Sequence, residues 1–437
     1  MKLFTKFLFF SFVLGCISLS VFATGTTEKK STMSESQNTN KIQLVVTAST
    51  AGQELELITE GCQKYMQEHP NIDAKILTVP SDSTDRLGLF MQYFETQSNA
   101  VDIFLIDGIW PGDIAEHLLP LGPYGAEKYT KDMFPSMIQN DTVNGKLLAM
   151  PAYTDAGVLY YRTDLMKKYG FTQPPQTWAE LKTMAETVQK GERAAGNQDF
   201  WGFVWQGNAY EGLTCDALEW IYSEGGGSIV ESDGTISIDN THAAKALDRA
   251  ASWINTICPE GVLGYTEEES RAIFQAGNAM FMRNWPYCYS LGNTEGSMIK
   301  GKFDVTTLPK GASGHGAAAL GGWQLAASQY SDHPEEAAKL VFFLTGYEQQ
   351  KMRAIKGSFE PTIASLYKDP EVLAAVPFFS NMLDVFNTSC ARPSTVTAPH
   401  YAEVSKVFYS EVHDVLLGKE NGKTAVENIT LNIEDII

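Results

Sequence analysis

The order of apolar runs between residues 42 and 121 constrains the fold more than any other feature. IQLVVTA (Ile42 to Ala48) is a short, β-rich apolar run ended by small residues, the pattern of a buried strand. Leu55, Ile58, Cys62, Tyr65 and Met66 then fall on one helical face, and His69-Pro70 stops it. AKILTVP predicts a second strand, STDRLGLFMQYFETQ a second helix and VDIFLID a third strand. GIWPGDIAEHLLPL predicts a turn and a helix. Strand and helix alternating at this spacing means βαβ units and a largely parallel sheet.

The rest of the chain repeats the alternation. DTVNGKLLAMP carries Asn144-Gly145 between short apolar pieces, a type I′ hairpin signal. AGVLYYRTDLMKKYG predicts a strand running into a helix, and Thr177 stands three before Glu180, a capping box for a helix running to Gly191. TCDALEWIYSEGGG and THAAKALDRAASWINTI predict further helices; GNAMFMRNWPYCYSL predicts strand, turn and helix, and FDVTTLP another strand. LGGWQLAAS predicts a strand behind two glycines, and HPEEAAKLVFFLTG a helix entered at Pro334 and left at Gly346. HYAEVSKVFYSEVHDVLLGK and TAVENITLNIEDII predict two closing helices. This is an α/β chain of two units without an obvious linker, which implies more than one crossing between them. The length, 437 residues, fits two or three domains of ~100–200 residues.

Residues 1–23 read as an export signal: Lys2 and Lys6 precede an apolar run from Leu8 to Phe22. Val13-Leu14-Gly15-Cys16 matches a bacterial lipobox, with Cys16 as the lipidated residue; Val21-Phe22-Ala23 is the alternative, a cleavage site for a soluble periplasmic product. Residues 24–41 are polar and read as a disordered tether. No later segment is apolar for ~18 residues. Any membrane attachment is therefore expected through a lipid anchor only. The five remaining cysteines (Cys62, Cys215, Cys258, Cys288, Cys390) show no metal-ligand spacing. Export permits disulfides. Cys215–Cys258 is conceivable, and buried free thiols are the other reading.

Formal net charge is −19, from 33 basic and 52 acidic residues. Nucleic acid is a poor partner for such a chain, because phosphates need clustered Lys and Arg. No GxSxG, HExxH or GxxxxGK[ST] occurs, and the histidines are scattered singly. No cofactor or metal is indicated. A glycosidase-style carboxylate pair stays open, since linear spacing does not report it. Aromatic placement stands out instead. Trp110, Tyr153, Trp205, Trp285, Tyr287 and Trp323 all sit near Gly, Pro, Asp or Asn at strand ends. Aromatic walls with a few placed polar groups make a small-molecule site, and aromatic faces stack on the C–H faces of sugars.

Several strings resemble the solute-binding proteins of ABC transporters, in their sugar-binding branch. These are VDIFLIDGIWPGDIAEHLLPL, GKLLAMPAYTDAGVLYYRTDLMKKYGFTQPPQTWAEL, GNAMFMRNWPY, FDVTTLPKG and LGGWQLAAS, in that order across about residues 42 to 437. IDGIWPGDIAEH and GGWQLA are most similar to trehalose/maltose-type members. The resemblance implies a two-lobed periplasmic-binding-protein fold, each lobe a mainly parallel sheet flanked by helices. Lobe 1 would hold residues 42–151 and 325–357, and lobe 2 residues 157–320 and 362–437. Hinge crossings would lie near 152–156, 321–324 and 358–361.

The resemblance also implies a monomeric, extracytoplasmic carrier, not an enzyme. It would bind a disaccharide such as trehalose or maltose and deliver it to permease subunits with a cytoplasmic ATPase. A longer maltodextrin, a polyol or a monosaccharide is the alternative ligand. Carried over, Glu54 and Arg86 would hydrogen-bond sugar hydroxyls from the first lobe, and Asp107 would accept at the end of the third strand. Tyr153 and Asp155 would sit at the first crossing, Gly322 and Trp323 at the second. Trp285 and Tyr287 would form a stacking wall, and Arg392 would reach in from the second lobe. Each has a plainer rival: Asp107 as a helix N-cap, Arg86 and Glu54 as solvated helix residues, Tyr153 and Asp155 as hinge packing, Trp285 as core. Trp110 divides between site wall and packing, and Trp178 reads as core.

Overall fold

The computed structural model describes residues 41–386 and 388–437. The export signal with Cys16, and the tether up to residue 40, lie outside the described residues.

The strands are β1 (Ile42–Ser49), β2 (Ile72–Val79), β3 (Ile103–Asp107), β4 (Thr142–Val143), β5 (Lys146–Leu147) and β6 (Met150–Ala156). They continue with β7 (Val158–Arg162), β8 (Trp201–Val204), β9 (Ala279–Asn284), β10 (Phe303–Thr306) and β11 (Leu320–Ala327). One sheet has the order β2-β1-β3-β11-β6 and a second the order β10-β7-β9-β8, so the α/β class and the two-unit organisation hold. The strand directions differ from the expectation of mainly parallel sheets. β1 is parallel to β2 and β3, but β11 is antiparallel to both β3 and β6. In the second sheet only β8 and β9 are parallel. The cause is β11: it re-enters the first sheet from the second one, without a crossover helix, so it runs against its neighbours.

Local signals account for most elements. Helix α1 (Glu54–Glu68) buries Ile58, Cys62 and Tyr65 of its expected face, with Leu57 beside them and Leu55 and Met66 only half-buried; α2 (Ser83–Glu95) buries Arg86, Phe90 and Phe94. Asn144 (φ 50°) and Gly145 (φ 75°) both have positive φ, as a type I′ turn requires, and join β4 to β5. Thr177 and Glu180 form the capping box. That helix runs past Gly191 to Ala194; Gly191 is there for packing, since a Cβ would meet the Tyr169 hydroxyl at 2.2 Å. The helix expected after Ile109 is reduced to a 3-10 turn, Ala115–His117. Pro111-Gly112 and Pro120 leave too few residues between them to repay helix nucleation.

The chain passes between the sheets after β6 and again before β11. β6 ends at Ala156 and β7 begins at Val158, so one ribbon serves both sheets. β11 returns beside β6, with Trp323 opposite Tyr153, and Thr154 bridges to Glu360. The register slips between Trp323 and Gln324, leaving Ala152 unpaired next to Pro151, which has no N–H to give. Arg353 takes up the orphaned carbonyl, donating from Nη2 to Ala152 O at 2.9 Å. Helix Pro334–Leu344 packs on α1 and β11, whereas Tyr401–Leu416 packs on Glu211–Glu224. Among the described residues no helix is long and apolar enough to cross a membrane.

Candidate ligand-binding cleft

The β6–β11 ribbon forms the floor of a cleft. Alternation along a strand sends Tyr153 and Asp155 to one face and Thr154 to the other. Gly322 (φ 121°) is needed by the ribbon itself, since a Cβ there would lie 2.8 Å from the Thr154 backbone. Gly321 admits Trp285, whose ring would stand 3.2 Å from an added Cβ.

One wall comes from the ends of β1 and β3 and the starts of α1 and α2. Glu54, in the first turn of α1, is buried. It accepts from the Ser49 N–H and from the Tyr153 hydroxyl, the latter at 2.8 Å. Arg86 is fully buried; its Nη2 lies 3.6 Å from Glu54, and Nε donates to Pro80 O at 2.9 Å. Its guanidinium carbon stands 3.9 Å from the centre of the Trp323 ring, a cation–π contact. Both Nη atoms are buried without hydrogen-bond partners. Trp323 meets Trp110 edge-on at 5.7 Å.

The opposite wall follows β9. The Trp285 ring lies under Arg283, at 4.0 Å, and its Nε1 donates to Glu267 Oε1 at 3.2 Å. The Tyr287 hydroxyl donates to Glu268 Oε1 at 2.7 Å. Arg392 closes the third side: Nη2 donates to Asp107 Oδ1 and Nη1 to Glu211 Oε1, each at 2.9 Å. It thus joins the end of β3 to the first residue of helix Glu211–Glu224.

Burial sets the protonation here. It pushes the Asp155 carboxyl well above the usual range, with Asp107 adding to the push and Arg283 and Arg392 opposing it. One Asp155 oxygen, Oδ1, is buried without a partner. Burial raises Glu267 and Glu211 as well. For Arg392, burial works against the charge, but the carboxylates of Asp107 and Glu211 outweigh it and its pKa rises. Cys215 also reaches the cleft, and burial raises its thiol well above the ordinary value, so it is no thiolate nucleophile.

All ten residues read from the sequence line this one cleft: Glu54, Arg86, Asp107, Tyr153, Asp155, Trp285, Tyr287, Gly322, Trp323 and Arg392. Glu54 and Arg86 are not solvated, and no helix follows Asp107 for it to cap. The cavity measures about 70 Å³, room for two or so waters. A larger cavity of about 510 Å³ lies behind the ribbon, against Thr154 and Gln324, with Phe134, Met137 and Phe386 on its walls. One aromatic falls elsewhere than expected, and a second resolves between its two readings. Trp205 is core, edge-on to Trp220, and Trp110 packs behind Trp323. The five described cysteines are free and buried, so Cys215–Cys258 is not a disulfide. Glu211, Glu267, Ser81, Ser83 and Phe359 line the cleft without having been read from the sequence. An acid opening a helix looks the same whether it serves a ligand or the helix dipole.

A model of the bacterial extracellular solute-binding protein family matches residues 48–351. The chain belongs to that family. The resemblance read from its motifs is thereby borne out. This solute-binding protein is 49% identical over 388 residues to a probable ABC transporter-binding protein of Deinococcus radiodurans, covering 89% of this chain and 92% of the relative. It also resembles the maltose-bound MalE3 of T. maritima at 39% identity, with a TM-score of 0.85 over 90% of this chain and 100% of that one. A ribitol-bound solute-binding protein of Agrobacterium radiobacter shares the fold at 20% identity, with a TM-score of 0.80 over 91% of this chain and 100% of that one.

Proposed function

We propose that this chain is the sugar-binding component of an ABC importer, taking a disaccharide such as trehalose or maltose. The observation that carries the reading is the composition of the cleft. Three aromatic faces (Trp285, Tyr287, Trp323) stand among buried charged and acidic groups that leave hydrogen-bonding atoms unused, notably both Nη of Arg86 and Oδ1 of Asp155. Apolar faces suit the C–H faces of sugar rings, and charge-assisted bonds suit their hydroxyls. The maltose held by the 39%-identical T. maritima protein supports a disaccharide.

A cavity of about 70 Å³ does not admit two sugar rings. Entry therefore needs the lobes, 42–151 with 325–357 and 157–320 with 362–437, to part about crossings near 152–156, 321–324 and 358–361. Hinge closure is the common device of periplasmic binding proteins. The ligand favours the closed form by its differential affinity, and the permease, with its ATPase, reads that form. Cys16 carries the lipid that holds the protein outside the cytoplasm.

A thermal-shift screen of mono-, di- and oligosaccharides tests the reading, because a ligand of the folded state raises apparent stability by mass action. The expected result is a rise in Tm with trehalose or maltose. A rise only with polyols or monosaccharides reassigns the ligand. Sugar consumed by the purified protein replaces the carrier with a glycosidase.

A further inference from the structure

Thr266 is followed by three glutamates, and each has a different task. Glu269 completes the capping box with Thr266 at the head of helix Glu267–Gln275. Glu267 accepts from Trp285 Nε1 at 3.2 Å, and Glu268 accepts from the Tyr287 hydroxyl at 2.7 Å. The same Glu268 oxygen also accepts from the N–H of Gly52 at 3.3 Å. Gly52 belongs to the loop between β1 and α1, on the other side of the cleft. Its positive φ (57°) and the Tyr287 ring leave no room for a side chain. Arg271 braces Glu268 from the next turn.

We propose that Glu267 and Glu268 are positioning residues: they fix the planes of Trp285 and Tyr287, and Glu268 makes that placement depend on lobe closure through Gly52. A ring is a useful stacking surface only when its plane is held. Trp285 and Tyr287 each carry one polar atom by which a carboxylate can hold them. Glu268 Oε1 gains its second donor only when the β1–α1 loop arrives, so the stacking wall and the closed state stabilise each other. Helix-dipole compensation alone would not direct two successive acids onto two aromatics at the cleft. The inference rests on the sugar-binding reading for its consequence, though not for the ring placement.

The test has two arms. Near-UV circular dichroism of the sugar-free protein reads the rings directly. Glu267→Ala and Glu268→Ala should each change the aromatic bands while the far-UV spectrum and Tm stay within a few degrees of wild type. Unchanged aromatic bands overturn the proposal. Calorimetric titration with trehalose and with maltose reads the consequence. Glu268→Ala should raise Kd at least tenfold, and Glu268→Gln, which keeps the acceptor, should recover most of the loss. Tyr287→Phe should match Glu268→Ala, and the double variant should be no weaker than either single one. Additive losses, or wild-type affinity in Glu268→Ala, overturn it. If wild type binds neither sugar while the aromatic bands respond as expected, the disaccharide reading fails and the positioning role stands.

Discussion

A Cβ on Gly52 would lie 2.5 Å from Cδ2 of Tyr287. The two residues belong to opposite walls of the cleft, so the glycine makes room for the aromatic. Gly52→Ala should therefore hold the walls apart. We expect sugar affinity to fall at least tenfold, a loss of about 1.4 kcal/mol. Small-angle scattering should show a larger radius of gyration at saturating sugar than for wild type. A wild-type radius and affinity would mean that the loop shifts freely.

Trp323→Ala removes a cleft face and also the contact that covers the buried guanidinium of Arg86. Affinity for the sugar should fall by at least a hundredfold. The free protein should lose about 1–2 kcal/mol, because the cation–π contact and the edge-on contact with Trp110 go together. Calorimetry and urea unfolding separate the two effects; Trp323→Phe should restore most of the stability.

Arg392→Ala leaves Asp107 and Glu211 buried without their cation. Breaking a buried pair from one side costs about 3–5 kcal/mol. Arg392→Lys keeps the charge but not the planar fork that spans two carboxylates, and should fall between. The midpoints of urea unfolding should rank wild type, Lys, Ala in descending order.

Glu360, bridged to Thr154 on β6, is pushed well above the usual carboxyl range by burial and then by Asp155, with the Ala156 N–H opposing. The unfolded carboxyl titrates near ~4.3. Between that value and the raised one, the folded state keeps a proton that the unfolded state has lost. Stability from this group therefore falls as pH rises through that window. Glu360→Gln removes the effect. The variant should match wild type at pH 4 and exceed it at pH 8. Urea midpoints at both pH values check this.

Cys16→Ala should move the protein from the membrane fraction to the soluble fraction of fractionated cells. Unchanged fractionation would favour cleavage after Ala23.

Much of the cleft was legible because its residues sit in strings with strong local grammar. Asp107 ends a buried strand, Tyr153 and Asp155 alternate along a second, and Trp285 and Tyr287 follow a third. What could not be read is whatever depends on a distant partner. Nothing in LGGWQLAAS says that β11 runs against β3 and β6. Trp205 has the same glycine-rich neighbourhood as the cleft aromatics and is core, because Trp220 and Cys258 happen to meet it. Glu267 and Glu268 stand in a helix's first turn, where acids are common for local reasons, and only the fold brings Trp285 and Tyr287 to them.

β11 sits between β3 and β6, yet it is synthesised after the whole second sheet. Until residues 320–327 emerge, β3 and β6 have no strand to join them, and the first sheet stays incomplete. Pairing across so long a stretch of chain is slow. The first sheet is therefore the last to close, and most of the chain must be made before its central pairing can form.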